Sequence, residues 1–167
     1  TYMLGMVNEN DLCYLGGFPA NELKDVFGIW NEEIDTLYPQ DSATVKCSCG
    51  KEYVAKDYCE IIHARGAKVI AEYASEFYAG SPALTVNEYG KGKAYYQSFR
   101  DGGDFFDDIV GKILGELDIH GPIKAALPEL VTAHQRRDGD DFYLFVQNYS
   151  DKPVASISLE GDYVNME

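Results

Sequence analysis

The spacing of hydrophobic and polar positions changes along the chain and divides it into two parts. Strand-like and helix-like stretches alternate from residue 1 to about residue 127, whereas the stretches after residue 128 are strand-like only. The segment Gly121–Pro128 contains two prolines and a glycine, a composition typical of a linker. The pattern therefore predicts two domains, residues 1–127 and residues 128–167.

Alternation of hydrophobic and polar side chains predicts most of the strands. An alternating stretch is typical of a strand with one buried face, and glycine or polar clusters mark the turns. The glycines of the Tyr89–Lys93 turn can take the positive φ that a tight hairpin needs, so an antiparallel hairpin is predicted there. The predicted strands cover residues 34–38, 43–47, 53–58, 67–73, 83–86, 94–99, 131–137, 142–149 and 154–159.

Two helices are predicted. A short one covers about Asn21–Gly28, with Pro19 ahead of it and Gly28 to end it. A longer one begins near Asp104, where acidic side chains favour a helix N-terminus. Its apolar residues form a stripe at three- and four-residue spacing, which predicts a helix. The stripe consists of Phe106, Ile109, Val110, Ile113, Leu114 and Leu117.

Both ends of the sequence lie in strand-like stretches. The chain begins at Thr1–Leu4 without an initiating methionine and stops at Glu167. We expect from this that the chain is a piece of a larger protein. An inner strand at Thr1–Leu4 would leave one side of a sheet uncovered.

The charge balance limits the classes of partner. With 14 Lys+Arg against 28 Asp+Glu, the formal net charge is −14. Phosphate backbones and anionic membrane surfaces attract clustered basic side chains, so neither nucleic acid nor a membrane is expected as a partner. The longest apolar runs are too short to span a bilayer and no secretory leader opens the chain. A soluble, cytoplasmic protein is expected.

Cysteine and histidine spacing does not predict a metal site or a nucleophile. Cys47, Cys49 and Cys59 could supply three thiolates to zinc, but the fourth ligand and the paired spacing of structural zinc sites are missing, so reduced thiols are preferred. Cys59 and His63 would face each other only on a helix, and the pattern around them favours a strand. No metal, cofactor or catalytic residue is assigned.

Other motifs are equally weak. The G-x-S-x-G elbow of a serine hydrolase is absent, and Gly90-Lys91-Gly92 is better read as a hairpin turn than as a phosphate-binding loop. Glu32, Glu33 and Asp35 near Trp30 suit the face of a sugar. However, neighbouring strand residues point to opposite faces, so a joint catalytic role of Glu32 and Glu33 is not expected and a solvated edge is preferred.

Aromatic residues are the main candidates for an interaction surface. The chain contains 13 Tyr, 8 Phe and 1 Trp. Core packing explains most of them, but tyrosine and tryptophan are also enriched at protein interfaces. Their placement in or beside loops singles out Trp30, Phe77 and Tyr78 as interface candidates.

Several ordered strings resemble the middle domain of glycoside hydrolase family 42 β-galactosidases and the small C-terminal β domain that follows it. Together they cover nearly the whole chain. The strings are Val7–Leu12, Leu15–Pro19, Phe27–Asp35, Leu37–Pro39, Ala74–Thr85, Tyr89–Tyr96 and Phe142–Tyr149.

The resemblance implies a fold and a role. It implies an α/β domain with a partial, open and largely parallel sheet of the flavodoxin-like or class I glutamine amidotransferase-like type, followed by a small antiparallel all-β domain. The middle domain of that family joins subunits into homotrimers. A (β/α)₈ barrel with two glutamates hydrolyses terminal β-galactosides by a retaining mechanism. That barrel is not in this sequence, so the chain alone is expected to be inactive.

Two alternatives stay open beside a non-catalytic fragment. The first is a stand-alone carbohydrate- or protein-binding module that uses Trp30 and exposed tyrosines. The second is a small amidotransferase-like hydrolase with Cys59 or Cys49 as its nucleophile. The Cys47-Ser48-Cys49 hairpin is not explained by the family pattern.

Overall fold

A computed structural model describes residues 4–15, 17–20, 22–154 and 156–165 of the chain. They form two helices and nine strands, which group into two compact units, Thr1–Asp108 and Ile109–Glu167. In chain order the elements are α1 Glu22–Phe27, β1 Ile29–Thr36, β2 Ala43–Cys47, β3 Glu52–Ala64, β4 Lys68–Tyr73, β5 Pro82–Tyr89, β6 Gly92–Gln97, β7 Phe99–Asp101, α2 Asp104–Glu116, β8 Val131–Asp138 and β9 Asp141–Asn148.

The described sheet of the first unit is antiparallel throughout, which corrects the expected parallel sheet. Hydrogen-bonded neighbours run in the order β1-β3-β2-β4-β5-β6, and β7 also pairs with β3. Only Ser98 separates β6 from β7. The pairing path β3-β2-β4-β5-β6/β7 therefore returns to β3, as the strands of a small barrel do.

Short connections explain why the α/β expectation was wrong. A parallel pair needs a crossover of a dozen residues or more, usually through a helix. Here β4, β5 and β6 follow one another through short turns without an intervening helix. The described structure therefore has no flavodoxin-like or amidotransferase-like arrangement. The strand expected at Thr1–Leu4 lies, apart from Leu4, outside the described residues.

The long strand β3 pairs with three other strands along its length. Its first half pairs with β2 and its second half with β1, while β7 lies along the other edge, opposite Ala55 and Cys59. Asp57 has φ 63°, and the register with β7 shifts between Lys56 and Cys59. This irregularity bends β3, so one strand serves two parts of the sheet.

Aromatic side chains and one acidic residue fill the centre of the first unit. Tyr73, Tyr96, Phe99 and Phe105 are all fully buried or nearly so. The Glu60 side chain is also fully buried, and its carboxylate accepts a hydrogen bond of 2.6 Å from the Tyr96 hydroxyl. A buried carboxylate requires such donors because burial removes its water.

Both predicted helices form, and the apolar stripe of the longer one is only partly buried. Phe105 is the buried residue of α2, whereas Phe106 is 56% exposed and Leu117, just past the helix, is 62% exposed. The three- and four-residue spacing correctly predicts a helix, but it cannot tell whether a partner covers the apolar face. Asp101 caps the helix by accepting hydrogen bonds from three backbone amides.

The second unit contains the antiparallel hairpin β8–β9, with Val131 opposite Asn148 and Asp138 opposite Asp141. The third strand expected at residues 154–159 is not formed in the described part of that segment. Instead the chain turns after β9, where Asn148 and Ser150 donate hydrogen bonds to the Lys152 carbonyl. Two strands alone bury little, and Phe142 and Phe145 remain more than half exposed.

Neither α1 nor α2, the helices of the described residues, has the length and apolar character of a membrane span.

Candidate assembly surface

Trp30, Glu32 and His63 form an exposed group that we name the Trp30 cluster. Trp30 on β1 lies directly opposite His63 on β3. The indole and imidazole rings stack with centroids 4.5 Å apart and an interplanar angle of 15°. The His63 ring nitrogen Nε2 lies 2.6 Å from the Glu32 carboxylate. The antiparallel register thus brings together side chains that are distant in sequence.

A bulge in β1 shapes the cluster. The register shifts between Asn31 and Glu33, so Glu32 has no partner in the register with β3. Trp30, Glu32 and Glu33 are all exposed there, and Asn31 is buried. A bulge inserts an extra residue and re-aims the side chains beside it. Glu32 therefore lies against His63, and the bulge leaves both Glu32 and Glu33 exposed.

The Trp30 cluster offers an aromatic and acidic surface. Trp30 is 38% exposed, and the side chains of His63 and Glu32 are 43% and 54% exposed. Tryptophan combines a large apolar ring with a polar N–H, which suits protein contacts and sugar faces alike. The stacking and the hydrogen bond between His63 and Glu32 fix the orientation of these rings before any partner binds.

Phe77 projects from the turn between β4 and β5 and is 78% exposed. Its neighbour Tyr78 is only 4% exposed, so its ring lies in the core. Tyr78 packs edge-on against Tyr73 at 4.8 Å and against Phe77 at 4.9 Å. Of Phe77 and Tyr78, two of the three predicted interface residues, Phe77 faces outward, whereas Tyr78 is buried and packs against Phe77.

The Tyr78 hydroxyl is buried without a hydrogen bond of good geometry. Burial raises the pKa of Tyr78, and the nearby groups Cys59 and Asp35 raise it further. Burial also raises the pKa of the Cys59 thiol. Cys59 is thus an inert core thiol, and His63 lies with Trp30 instead of beside it, so the structure does not support a Cys59 nucleophile.

The described residues contain no group of three or more His, Cys, Asp or Glu that could hold a metal ion. Cys47, the last residue of β2, and Cys59 are buried, whereas Cys49 in the β2–β3 turn is exposed. The predicted zinc alternative is therefore not supported by this arrangement.

Sequence reasoning missed exposed leucines near the start of the chain. Leu12 is 63% exposed and Leu15 is 99% exposed. Leu12 ends a loop in which the Asn8 side chain accepts hydrogen bonds from the amides of Asn10 and Leu12, and Leu15 follows that loop. Irregular backbone has no hydrophobic period, so the pattern could not assign a face to these residues.

Comparison with known proteins shows the family. The family model described as "Beta-galactosidase trimerisation domain" matches residues 1–120. The chain is 42% identical to β-galactosidase Pbg of Clostridium perfringens over 156 residues, which are 90% of the chain and 22% of that enzyme. It is 38% identical to BgaP of Planococcus sp., covering 96% of the chain and 24% of that enzyme.

Solved structures agree with the sequence comparison. The cold-adapted β-galactosidase of Rahnella sp. R3 has a TM-score of 0.81 at 44% identity, covering 89% of this chain and 22% of that one. Gan42B, a GH42 β-galactosidase, has a TM-score of 0.82 at 36% identity, and the match covers 90% of this chain and 22% of Gan42B. The chain spans about a quarter or less of these relatives. It belongs to the trimerisation-domain family of glycoside hydrolase family 42 β-galactosidases.

Proposed function

We propose that this chain is the subunit-assembly part of a longer β-galactosidase and that it joins three copies into a homotrimer. The family match over residues 1–120 carries this proposal. Hydrolysis of terminal non-reducing β-D-galactose would be carried by two carboxylates of a (β/α)₈ barrel outside these residues, with retention of configuration. The chain by itself would contribute no catalytic group.

The Trp30 cluster and Phe77 are the proposed contacts between subunits. Aromatic side chains that are partly exposed and held rigid bind with little loss of conformational entropy. Trp30 is fixed by stacking on His63, and Phe77 is fixed by Tyr78. Tyr78 takes part in this proposal as a supporting residue rather than a direct contact.

The test is the oligomeric state of the complete polypeptide, measured by sedimentation velocity across a dilution series. Trp30→Ala and Phe77→Ala should each weaken trimer formation at least about tenfold, because central aromatic contacts contribute most of the energy of an interface. Tyr38→Ala is the matched control, since Tyr38 is an aromatic residue that is 71% exposed. A trimer unaffected by both substitutions would contradict the proposed contacts.

A binding module for carbohydrate is the second candidate, and the Trp30 cluster favours it. An indole beside a carboxylate can stack on a sugar ring while the carboxylate accepts hydrogen bonds from its hydroxyls. Trp30 is the single tryptophan of these 167 residues, so its fluorescence reports on this site. A galactoside titration without any fluorescence change at millimolar sugar would count against this candidate.

The domain boundary and the compartment remain proposals. We propose that residues 1–127 form the assembly domain and 128–167 a separate β domain. The family match ends at residue 120, between that boundary and the division of the two compact units after Asp108. A cytoplasmic location, with neither nucleic acid nor membrane as partner, is supported by the net charge of −14 and by four free cysteines. Reduced thiols are typical of that compartment.

A further inference from the structure

Two cysteines flank one serine at the turn between β2 and β3. Cys47 is the last residue of β2 and is buried, whereas Cys49 is exposed. The turn is closed by two backbone hydrogen bonds, from the Cys47 amide to the Lys51 carbonyl and from the Gly50 amide to the Cys47 carbonyl, each 2.9 Å. This short, hydrogen-bonded turn holds both thiols at the same end of the sheet.

The two cysteines contact each other through a hydrogen bond to sulfur. The Cys49 backbone amide donates to the Cys47 sulfur Sγ at 3.3 Å. The neighbouring Cys47 thiol, followed by the Lys51 amide, lowers the pKa of the Cys49 thiol. Burial, followed by the interaction with Cys49, raises the pKa of Cys47. The exposed sulfur is thus the more readily ionised one, and a protonated thiol lies next to it.

Cys49 is open to small molecules because it is exposed at the surface. An open depression of about 440 Å³ lies beside Cys47. Lys51 is bound to Asp108 at 2.8 Å, so its ammonium group is held near the turn, where it also favours the Cys49 thiolate. The depression is lined by Lys46, Cys47, Ser48, Gly50 and residues 69–74.

We propose that Cys47 and Cys49 form an oxidation site at which a hydroperoxide converts the two thiols into an intramolecular disulfide. An accessible thiol that ionises readily, beside a second, resolving thiol, is the arrangement that peroxide-sensitive cysteines share. Cys49 is the attacking residue because it is exposed, and Cys47 is the resolving residue. This site is independent of the proposed assembly role.

The chemistry takes two steps. The Cys49 thiolate attacks one peroxide oxygen, so that an S–O bond forms, the O–O bond breaks and the departing alkoxide takes a proton to leave as an alcohol, or as water from hydrogen peroxide. The Cys47 thiol then loses its proton and attacks the Cys49 sulfur. The S–S bond forms, the S–O bond breaks, and hydroxide leaves and takes that proton as water. The two electrons given up by the thiols reduce the peroxide.

Peptide mapping tests the proposal on the complete polypeptide in its native assembly. The reduced protein is treated with increasing hydrogen peroxide at pH 7, quenched, alkylated and digested with trypsin. Cleavage after Lys46 and Lys51 releases a peptide, residues 47–51, that contains both cysteines. We expect this peptide to become lighter by two hydrogens and to resist alkylation, and to regain both alkylation sites after treatment with a dithiol reductant.

Cys13 is the internal control, because it is exposed but has no neighbouring cysteine in the sequence. Oxidation at Cys49 should be about tenfold faster than at Cys13, because the thiolate is the reacting form. In Cys47→Ser the Cys49 sulfenic acid should accumulate and be trapped by dimedone, whereas in Cys49→Ser the Cys47 thiol should persist. A 47–51 peptide that stays a dithiol, or that oxidises no faster than Cys13, overturns the proposal.

Discussion

Removing one hydroxyl from the core of the first unit should destabilise it measurably. Tyr96 donates to the Glu60 carboxylate at 2.6 Å, and both side chains are fully buried. Burial and the adjacent carboxylate raise the pKa of Tyr96, so the hydroxyl remains a donor throughout the neutral range. Tyr96→Phe deletes this donor but keeps the aromatic ring, which packs edge-on against Phe27 at 5.3 Å.

The expected loss of stability follows from the nature of the hydrogen-bond acceptor, the Glu60 side chain. Loss of a hydrogen bond to a carboxylate costs about 1.5–3 kcal/mol. A change of about 1.4 kcal/mol is tenfold in an equilibrium constant, so local opening should become about 10–150-fold more frequent. Replacing the acceptor by Glu60→Gln should reduce the cost of Tyr96→Phe to about 0.5–1.5 kcal/mol, the range for neutral partners.

Hydrogen exchange of the complete polypeptide, followed by mass spectrometry, measures this opening in peptides from β3 and β6. Tyr95→Phe is the matched control, because Tyr95 is the adjacent tyrosine on β6 and is only partly buried. It should change the exchange rates less than about twofold, as surface substitutions usually do. Equal rates for the two variants, or no change for Tyr96→Phe, would refute the argument that the buried hydroxyl stabilises the core.

Three further predictions concern turns, caps and charges. Gly28→Ala should destabilise the first unit by more than about 1–2 kcal/mol in thermal unfolding, since Gly28 has φ +61° and an added Cβ would lie 2.9 Å from a backbone nitrogen. Gly111→Ala is the control, because Gly111 faces open space on α2, and it should increase the stability by about 0.5–1 kcal/mol. Asp101→Ala should fray the first turn of α2 and cost about 0.5–2 kcal/mol of stability, because the helix loses its N-terminal cap. Amide exchange in this turn should become faster, and unchanged exchange would contradict the capping role of Asp101. The pKa of Asp108 is lowered chiefly by its hydrogen bond with Lys51, so the stabilisation by this pair is present above the unfolded-state pKa of about 3.9 and is lost as the pH falls through the lower folded-state pKa. Lys51→Ala should therefore change the amide exchange of α2 at pH 7 but not near pH 2. A change of equal size at both pH values would show that loss of the ion pair does not cause the faster exchange.

Local features of the fold could be predicted from the sequence. The β5–β6 hairpin was correctly placed, because Gly90 takes the positive φ that its turn requires. The longer helix was also correct, since acidic residues and apolar spacing within a dozen positions determine it. The Cys47-Ser48-Cys49 turn is likewise local. In each case the interacting groups are close in sequence, so short-range propensity and backbone conformation decide the outcome.

The pairing of the strands could not be predicted in the same way. An alternating stretch shows which residues share a face, but a parallel and an antiparallel neighbour produce the same alternation. The resemblance to an α/β family therefore led to a parallel sheet, whereas the described strands close an antiparallel path through β3. The bend at Asp57, which allows β3 to serve several partners, has no signal in hydrophobic periodicity.

The candidate assembly surface, too, could be predicted from the sequence only in part. The sequence by itself determined the aromatic residues in question, their placement near turns and the family to which the chain belongs, because these depend on residue type and order. Only the tertiary structure placed His63 against Trp30 and Glu32, turned Phe77 outward and buried Tyr78 against Tyr73. The physical reason is that burial and cross-strand contact depend on register, and register is fixed by the whole sheet rather than by any one strand.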